Sequence, residues 1–176
     1  FWPLEFDPKS IYQITSETFD SNDWHYYRKD KTKIEEGEVL LDIGTAEGLF
    51  PLVVANKCQK IFLVEPSKLF INCLEKTFKP FKNKVILYNV AVGNMDGEID
   101  FSEDSLSGKI GEGKSDNLNK IRITRIDTLI PKEERITYLK ADIEGFEYEM
   151  LKGAENTIKR NKPKIAITTY HKENNA

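Results

Sequence analysis

The sequence predicts an α/β domain with a mostly parallel sheet and helices on both of its faces. Short apolar runs alternate with helix-like segments along the middle of the chain, a pattern typical of parallel strands joined by helical crossovers. The first of these runs ends at a glycine and leads directly into a helix-like segment. A length of 176 residues is enough for one domain with a substantial core.

The first predicted unit is a buried strand over residues 38–44, which ends at Gly44, followed by a helix over residues 47–57. That helix is apolar nearly all round, so we expect it to pack on the sheet. Pro51 falls in its first turn, where a missing backbone N–H costs little.

The next two strands are predicted over residues 60–65 and 84–89. Between them, Ser67 is a suitable N-cap for a helix that reaches about Phe78. Strand, helix and strand therefore follow one another as a parallel unit requires.

The alternation is interrupted after the third strand. Residues 98–102 and 121–126 predict a pair of strands. Between them, residues 105–120 are rich in Gly, Ser, Asn and Lys and have no apolar period. We expect a flexible loop there, of the kind that closes over a binding site.

Two further parallel strands are predicted over residues 137–142 and 164–170. Apolar residues at helical spacing from Phe146 to Ile158 predict one helix between them, with Gly153 as a weak point. The sequence shows neither an internal repeat nor the pattern of a second domain.

The α/β domain is predicted to follow an N-terminal segment. Residues 1–33 indicate a helical and aromatic segment, and residues 34–176 the domain itself. The segment contains a cluster of four ring-bearing residues, Trp24, His25, Tyr26 and Tyr27. Aromatic rings can stack on sugars, but packing against the sheet is the role that we favour.

The composition argues against several classes of function. A net charge of -3 gives no reason to expect nucleic acid or an anionic membrane as a partner. No run approaches the roughly 18 apolar residues of a membrane span, and the first ten residues do not match a signal peptide. Cys58 and Cys73 fit neither a metal cluster nor a disulfide framework, so we expect a cytoplasmic location.

Four residues near the first turn indicate a cofactor that contains a nucleoside. Asp42, Gly44 and Gly48 span the end of the first strand and the start of its helix, and Glu65 ends the second strand. Glycine lets the backbone bend sharply beside a ligand, and an acidic residue about 20 positions on can bind both ribose hydroxyls. The alternative is that the glycines only turn the chain and that Glu65 is a solvated strand end.

The spacing of the glycines distinguishes two cofactors. Dinucleotide sites usually carry G-x-G-x-x-G, whose middle glycine lets the backbone touch the pyrophosphate. Here Ala46 occupies that position. S-Adenosylmethionine has no phosphate, and Asp42 suits the cationic part of its methionine end. The spacing therefore favours a methyl donor over a nicotinamide dinucleotide.

Five stretches of the sequence carry a family resemblance. They are LLDIGTAEGLF (40–50), FLVEPS (62–67), NVAVGNMDGEIDF (89–101), ITRIDTLI (123–130) and LKADIEGFEYEMLKGAENTI (139–158). In this order they resemble the FkbM-type methyltransferases. The resemblance implies a Rossmann-like class I methyltransferase fold and S-adenosylmethionine-dependent methylation of a hydroxyl oxygen, often of a sugar or secondary metabolite.

The resemblance also implies where the cofactor would lie. Asp42 and Gly44 would line the methionine end, Glu65 the ribose, and residues 89–92 the adenine. The expected cofactor-binding residues are Asp42, Gly44, Thr45, Gly48, Glu65, Pro66, Asn89 and Ala91. Ala46 stands where the family often has Asn, so one polar contact of the family is not expected here.

Three residues are candidates for removing the acceptor proton. Asp142 ends a parallel strand, at the edge where ligands gather in open α/β sheets, and Glu144 follows two residues later. We expect one of them to orient the acceptor hydroxyl or accept its proton, rather than only to stabilise a helix start. His171, after the fifth strand, is the third candidate. Two carboxylates alone do not establish a Mg²⁺ site, and no metal is predicted.

Three functions stay open at this stage. The leading one is an O-methyltransferase that acts on a small-molecule or carbohydrate hydroxyl. Class I folds normally add two strands after the fifth, and we expect these C-terminal strands to be missing, which supports a domain that binds the cofactor without turnover in a larger assembly. A nicotinamide-dependent oxidoreductase is disfavoured by the missing middle glycine. The acceptor and the oligomeric state are not predicted.

Overall fold

The structure is a computed structural model that describes residues 1–102, 109–110 and 118–169. Within these residues, nine strands form two sheets. The strands are β1 (Glu38–Ile43), β2 (Cys58–Val64), β3 (Val85–Tyr88), β4 (Ala91–Val92), β5 (Gly97–Ser102), β6 (Lys109–Ile110), β7 (Leu118–Thr124), β8 (Tyr138–Ala141) and β9 (Lys164–Ile167). The larger sheet has the order β3-β2-β1-β8-β9, and all of its pairs are parallel.

Six α-helices accompany the strands within the described ranges. They are α1 (Ser10–Phe19), α2 (Leu49–Val54), α3 (Lys68–Thr77), α4 (Ile126–Leu129), α5 (Glu147–Gly153) and α6 (Glu155–Asn161). Ser67 caps α3 as predicted, because its side chain accepts the Phe70 N–H. None of the helices described is long and apolar enough to cross a membrane.

Apolar clusters cover both faces of the parallel sheet. Every residue of β1 is buried, and its side chains alternate between the two faces. Leu41 shares one cluster with Met150 of α5, whereas Leu40 shares the other with Phe50 of α2 and Leu74 of α3. The predicted α/β architecture with helices on both faces is therefore confirmed.

The smaller sheet contains the strand pair that interrupts the alternation. β5 and β7 pair antiparallel, as predicted, within a sheet of order β4-β7-β5-β6. β7 ends at Thr124, whereas the prediction extended it to Ile126, which instead begins α4. One oxygen of Asp96 accepts both the Thr124 hydroxyl and the Arg125 N–H, which turns the chain at this point. The loop predicted over residues 105–120 contains β6 and the start of β7, and its other residues through 117 lie outside the described ones.

Two predicted helices differ from those observed. The helix expected over residues 47–57 is shorter in the structure: α2 begins at Leu49, since Gly48 at its N-cap has a left-handed backbone, and ends at Val54. The single helix expected from 146 to 158 was wrong, because α5 and α6 are separate. A Cβ on Gly153 would lie 1.9 Å from the carbonyl oxygen of Gly93. The chain thus breaks its helix where α5 meets the backbone after β4.

The segment before β1 is attached to the sheet through Tyr138 of β8. Tyr138 is fully buried, and its hydroxyl group lies within hydrogen-bond distance of two carbonyl oxygens, Tyr27 O at 2.9 Å and Thr32 O at 3.0 Å. Its hydrogen can be donated to either of them. Arg28 donates to the Thr18 carbonyl at 2.6 Å and so connects this segment to α1. These contacts place α1 and Tyr27 beside the carboxyl edge of the parallel sheet.

Candidate active site

A cavity of about 280 Å³ opens at the carboxyl ends of β1, β2 and β8. This is the edge at which open α/β sheets bind their ligands. Part of its wall comes from the sheet and its turns. Another part comes from α1 and from His25 and Tyr27, which follow it. The cavity therefore lies between the predicted domain and the N-terminal segment.

The turn between β1 and α2 forms the cavity floor at Gly44. Gly44 has φ +68, and a Cβ there would lie 1.9 Å from the Asp142 carbonyl oxygen. Gly48 has φ +81, and its Cβ would meet the Leu74 side chain at 2.5 Å. Both glycines are thus required by close packing inside the protein, of β1 on β8 and of α2 on α3. Gly44 also lines the cavity, and Gly48 does not.

Glu65 follows β2 and places a buried carboxylate on the cavity wall. One oxygen accepts the Ala46 N–H at 2.9 Å, and the other accepts the Ser67 N–H at 2.8 Å. Burial raises the pKa of Glu65 to about 7, although the two N–H groups partly offset this effect. Asn89 donates its side-chain amide to the carbonyls of Glu65 and Pro66 and so holds this turn in place.

Asp42 lies beneath the cavity, not on its wall. Its side chain has no exposed surface and is 3.4 Å from the ammonium of Lys140. Burial raises the pKa of Asp42, and Lys140 opposes that rise. Burial lowers the pKa of Lys140, but the carboxylates of Asp42, Asp142 and Glu47 outweigh it and raise the pKa above its ordinary value. Lys140 itself lines the cavity and donates to the Gly44 carbonyl at 3.1 Å.

Asp142, directly after β8, is held by two hydroxyl groups. Tyr27 donates its phenolic hydrogen to Asp142 Oδ2 at 2.7 Å. Thr168, after β9, donates toward Asp142 Oδ1 at 3.0 Å and lies 3.3 Å from Glu147 Oε1. Glu147 also accepts the Ile143 N–H at 3.1 Å, in accord with a role in fixing the start of α5. This network fixes the carboxylate of Asp142 at the cavity wall.

Most of the predicted site residues meet around this cavity. Those on its wall are Gly44, Thr45, Glu65, Pro66, Ala91, Asp142 and Glu144. Asp42 and Asn89 support the wall from outside it, through the contacts described above. Glu144 has φ +54, an uncommon backbone conformation for a residue with a side chain. His171 lies outside the described residues.

The sequence patterns did not indicate several residues of the cavity wall. The wall also contains Ser10, Gln13, Glu17 and Thr18 of α1, together with His25 and Tyr27. The nitrogen Nδ1 of His25 lies 3.6 Å from Glu17 and 3.7 Å from Asp23. The aromatic cluster was visible in the sequence, but no local pattern connects it to Asp142, which lies 115 positions away from Tyr27. Lys140 could have been noticed, because it lies on β8 two residues before Asp142.

Together these features define a Rossmann-like α/β domain with a cavity at the carboxyl edge of its parallel sheet. The family model of the FkbM methyltransferase domain matches residues 42–176. The chain therefore belongs to the FkbM methyltransferase domain family. The first 41 residues, which include α1 and Tyr27, precede the matched region.

A solved structure supports the same fold. The chain is similar to the methyltransferase FkbM from Methylobacillus flagellatus KT, with a TM-score of 0.64 and 23% sequence identity. The similarity covers 84% of this chain and 36% of that chain, so this chain spans about a third of the length of its structural neighbour. No curated protein matches the sequence.

Proposed function

We propose that this domain transfers a methyl group from S-adenosylmethionine to a hydroxyl oxygen of a sugar or another small metabolite. Membership of the FkbM family supports methyl transfer. The observation that carries the cofactor assignment is the position of Glu65. Its carboxylate follows β2 on the cavity wall and is bonded to the Ala46 N–H of the glycine turn.

The Glu65 carboxylate suits the ribose of an adenosine. Each of its oxygens accepts one backbone N–H and keeps lone pairs with which to accept a ribose hydroxyl. The backbone bonds fix the carboxylate before the ligand arrives, so little ordering is required on binding. An ionised Glu65 accepts from both hydroxyls, whereas a protonated one loses acceptor capacity.

The glycine turn and the charges of the cavity favour a cofactor without phosphates. The Ala46 N–H, at the position where a dinucleotide site has its middle glycine, already donates to Glu65. Glu47, Asp142 and Glu144 also line the cavity and outnumber the ammonium of Lys140 there, so the wall as a whole would repel a diphosphate. The sulfonium and ammonium groups of S-adenosylmethionine are cationic and suit such a wall.

Asp142 is the carboxylate on this wall best placed to take up the proton that the acceptor loses. S-Adenosylmethionine supplies an electrophilic methyl group with a good leaving group, so the protein mainly aligns the reactants and removes the hydroxyl proton. The carboxylate of Asp142 is fixed by Tyr27 and Thr168 at the carboxyl end of β8. It can therefore receive a proton without first having to be ordered itself.

The direct test is methyl transfer from radiolabelled S-adenosylmethionine to methyl glycosides of glucose, mannose and galactose and to glycerol. We expect labelled ether and S-adenosylhomocysteine to form in equal amounts. Asp142→Asn should lower the rate, whereas Asp100→Asn, an exposed carboxylate on β5 outside the cavity, should not. Saturable binding of NADH together with no binding of S-adenosylhomocysteine would instead favour an oxidoreductase. Binding of S-adenosylhomocysteine without transfer to any acceptor would favour a non-catalytic cofactor-binding domain.

A further inference from the structure

We propose that Tyr27 is a catalytic residue, whose phenolic oxygen takes the proton of the acceptor hydroxyl while its own proton passes to Asp142. This inference rests on the proposed function. It adds a residue from the segment before the matched family region, which begins at residue 42. The family match assigns no role to that segment, and the sequence alone favoured only packing against the sheet for its aromatic cluster.

The position of Tyr27 brings three features together. Its side chain lines the cavity, its hydroxyl donates to Asp142 Oδ2 at 2.7 Å, and the ammonium of Lys140 lies 5.1 Å from the centre of its ring. A phenol that donates to a carboxylate still has oxygen lone pairs with which to accept a hydrogen bond. A cation over the ring stabilises negative charge that develops on it.

The arrangement around Asp142 favours Tyr27 as the group that meets the acceptor. Both oxygens of the Asp142 carboxylate accept hydroxyl hydrogens, from Tyr27 and from Thr168. Tyr27 thus holds one of the two carboxylate oxygens and also lines the cavity, so an acceptor proton can reach Asp142 through its hydroxyl group. The phenol then passes a proton from the acceptor to the carboxylate, as an oriented side chain does between a substrate and a carboxylate.

The proposed step transfers one methyl group and one proton. The acceptor oxygen forms a bond to the methyl carbon as the bond from that carbon to sulfur breaks, and the bonding electron pair stays on sulfur. The acceptor proton moves to Tyr27 Oη, and the original phenolic proton moves to Asp142 Oδ2. The positive charge of the sulfonium is thereby replaced by one proton on the carboxylate, which is later released to solvent.

The ring of Tyr27 is held independently of its hydroxyl, so its role can be tested without disturbing the fold. It packs edge-to-face on Phe50 with ring centroids 5.7 Å apart, and Phe can keep this contact. Tyr26→Phe is the matched control, since Tyr26 does not line the cavity and its ring faces Arg28 at 4.9 Å. Tyr27→Phe should lower kcat for methylation of the glycoside panel by about 100-fold or more. The KM for the acceptor and the affinity for S-adenosylhomocysteine should change little.

The variants Tyr27→Phe, Asp142→Asn and their combination complete the test. In a relay the two groups act as one unit, so the double variant should be no slower than the slower single variant. A Tyr27→Phe variant with wild-type kcat would overturn the inference. So would loss of S-adenosylhomocysteine affinity equal to the loss of kcat, because this indicates a structural or cofactor-binding role.

If the wild-type chain methylates none of the acceptors, that result contradicts the proposed function and not the pairing of Tyr27 with Asp142. A second measurement then tests this pairing. The four proteins of the cycle are unfolded with denaturant, and the coupling between Tyr27 and Asp142 is read from their unfolding free energies. Non-additive effects support the contact that the relay requires. Additive effects would mean that the two side chains do not interact in solution and would overturn the inference.

Discussion

The ammonium of Lys140 lies 3.4 Å from a carboxylate oxygen of Asp42, and both side chains are buried where β8 pairs with β1. The two residues are direct partners in the parallel register. Lys140 also donates to the Gly44 carbonyl at 3.1 Å. This ion pair therefore connects the first strand, the glycine turn and the strand that leads to Asp142.

Replacing Lys140 by Met should strongly destabilise the fold. The change leaves the Asp42 carboxylate buried without its cation, a loss that typically costs about 3 to 5 kcal/mol. Denaturant unfolding measures the effect. The double variant Lys140→Met with Asp42→Asn should recover part of the loss, because it removes both charges. Lys159→Met, in an exposed pair with Glu155, should cause no measurable change. A stable Lys140→Met single variant would contradict the importance of the buried pair.

Glu65 should make the stability of the ligand-free protein depend on pH. Its pKa is raised from 4.5 to about 7 in the folded protein, so folding favours its protonated form. That contribution is fully present below the unfolded value and is lost as the pH rises through about 7. Relative to Glu65→Gln, the wild-type free energy of unfolding should fall by about 3 kcal/mol between about pH 4 and pH 8.

The test compares how the free energy of unfolding of each protein changes with pH. A constant difference between the two proteins is expected in any case, since Gln cannot accept both backbone N–H groups. Parallel denaturation curves of wild type and Glu65→Gln across this pH range provide the measurement. A difference in stability that is constant with pH, or that grows in favour of the wild type at high pH, would contradict the assignment of a raised pKa.

Gly153 should not tolerate a methyl group. In an ordinary helix, Gly→Ala stabilises by up to about 1 kcal/mol. Here the Cβ would lie 1.9 Å from the Gly93 carbonyl oxygen, so we expect Gly153→Ala to destabilise by about 1 to 3 kcal/mol. Gly97→Ala is the control, because its Cβ would meet only Met95 at an ordinary 3.7 Å. Thermal unfolding of the two variants should separate them, and equal stabilities would refute the packing argument.

The parallel sheet could be predicted because each of its strands is a short apolar run bounded by polar or glycine residues. The position of Glu65 after β2 and of Asp142 after β8 followed from the same pattern. The break between α5 and α6 could not, since it depends on contact between Gly153 and Gly93, 60 positions apart by their numbers. The helical spacing of apolar residues does not reveal such a tertiary contact.

The part of the cavity wall that comes from the N-terminal segment could not be predicted from the sequence either. Tyr27 reaches Asp142 across 115 positions, and the sequence offered an aromatic cluster with no indication of its partner. Asp42 was assigned to the cofactor from its place at a strand end. That assignment stays a prediction, although the pairing with Lys140 places Asp42 below the cavity wall. Side chains of neighbouring strands meet according to register, which the sequence of one strand does not contain.

Calorimetric titration with S-adenosylhomocysteine at about pH 8, where Glu65 is ionised, tests the central claim most directly. The wild-type chain should bind one equivalent, and Glu65→Ala should lose about 100-fold in affinity, as expected for two hydrogen bonds to a charged group. Glu75→Ala, an exposed carboxylate on α3, should bind like the wild type. Absence of saturable binding to the wild type, or equal affinity in Glu65→Ala, would contradict the assignment of this cavity to S-adenosylmethionine.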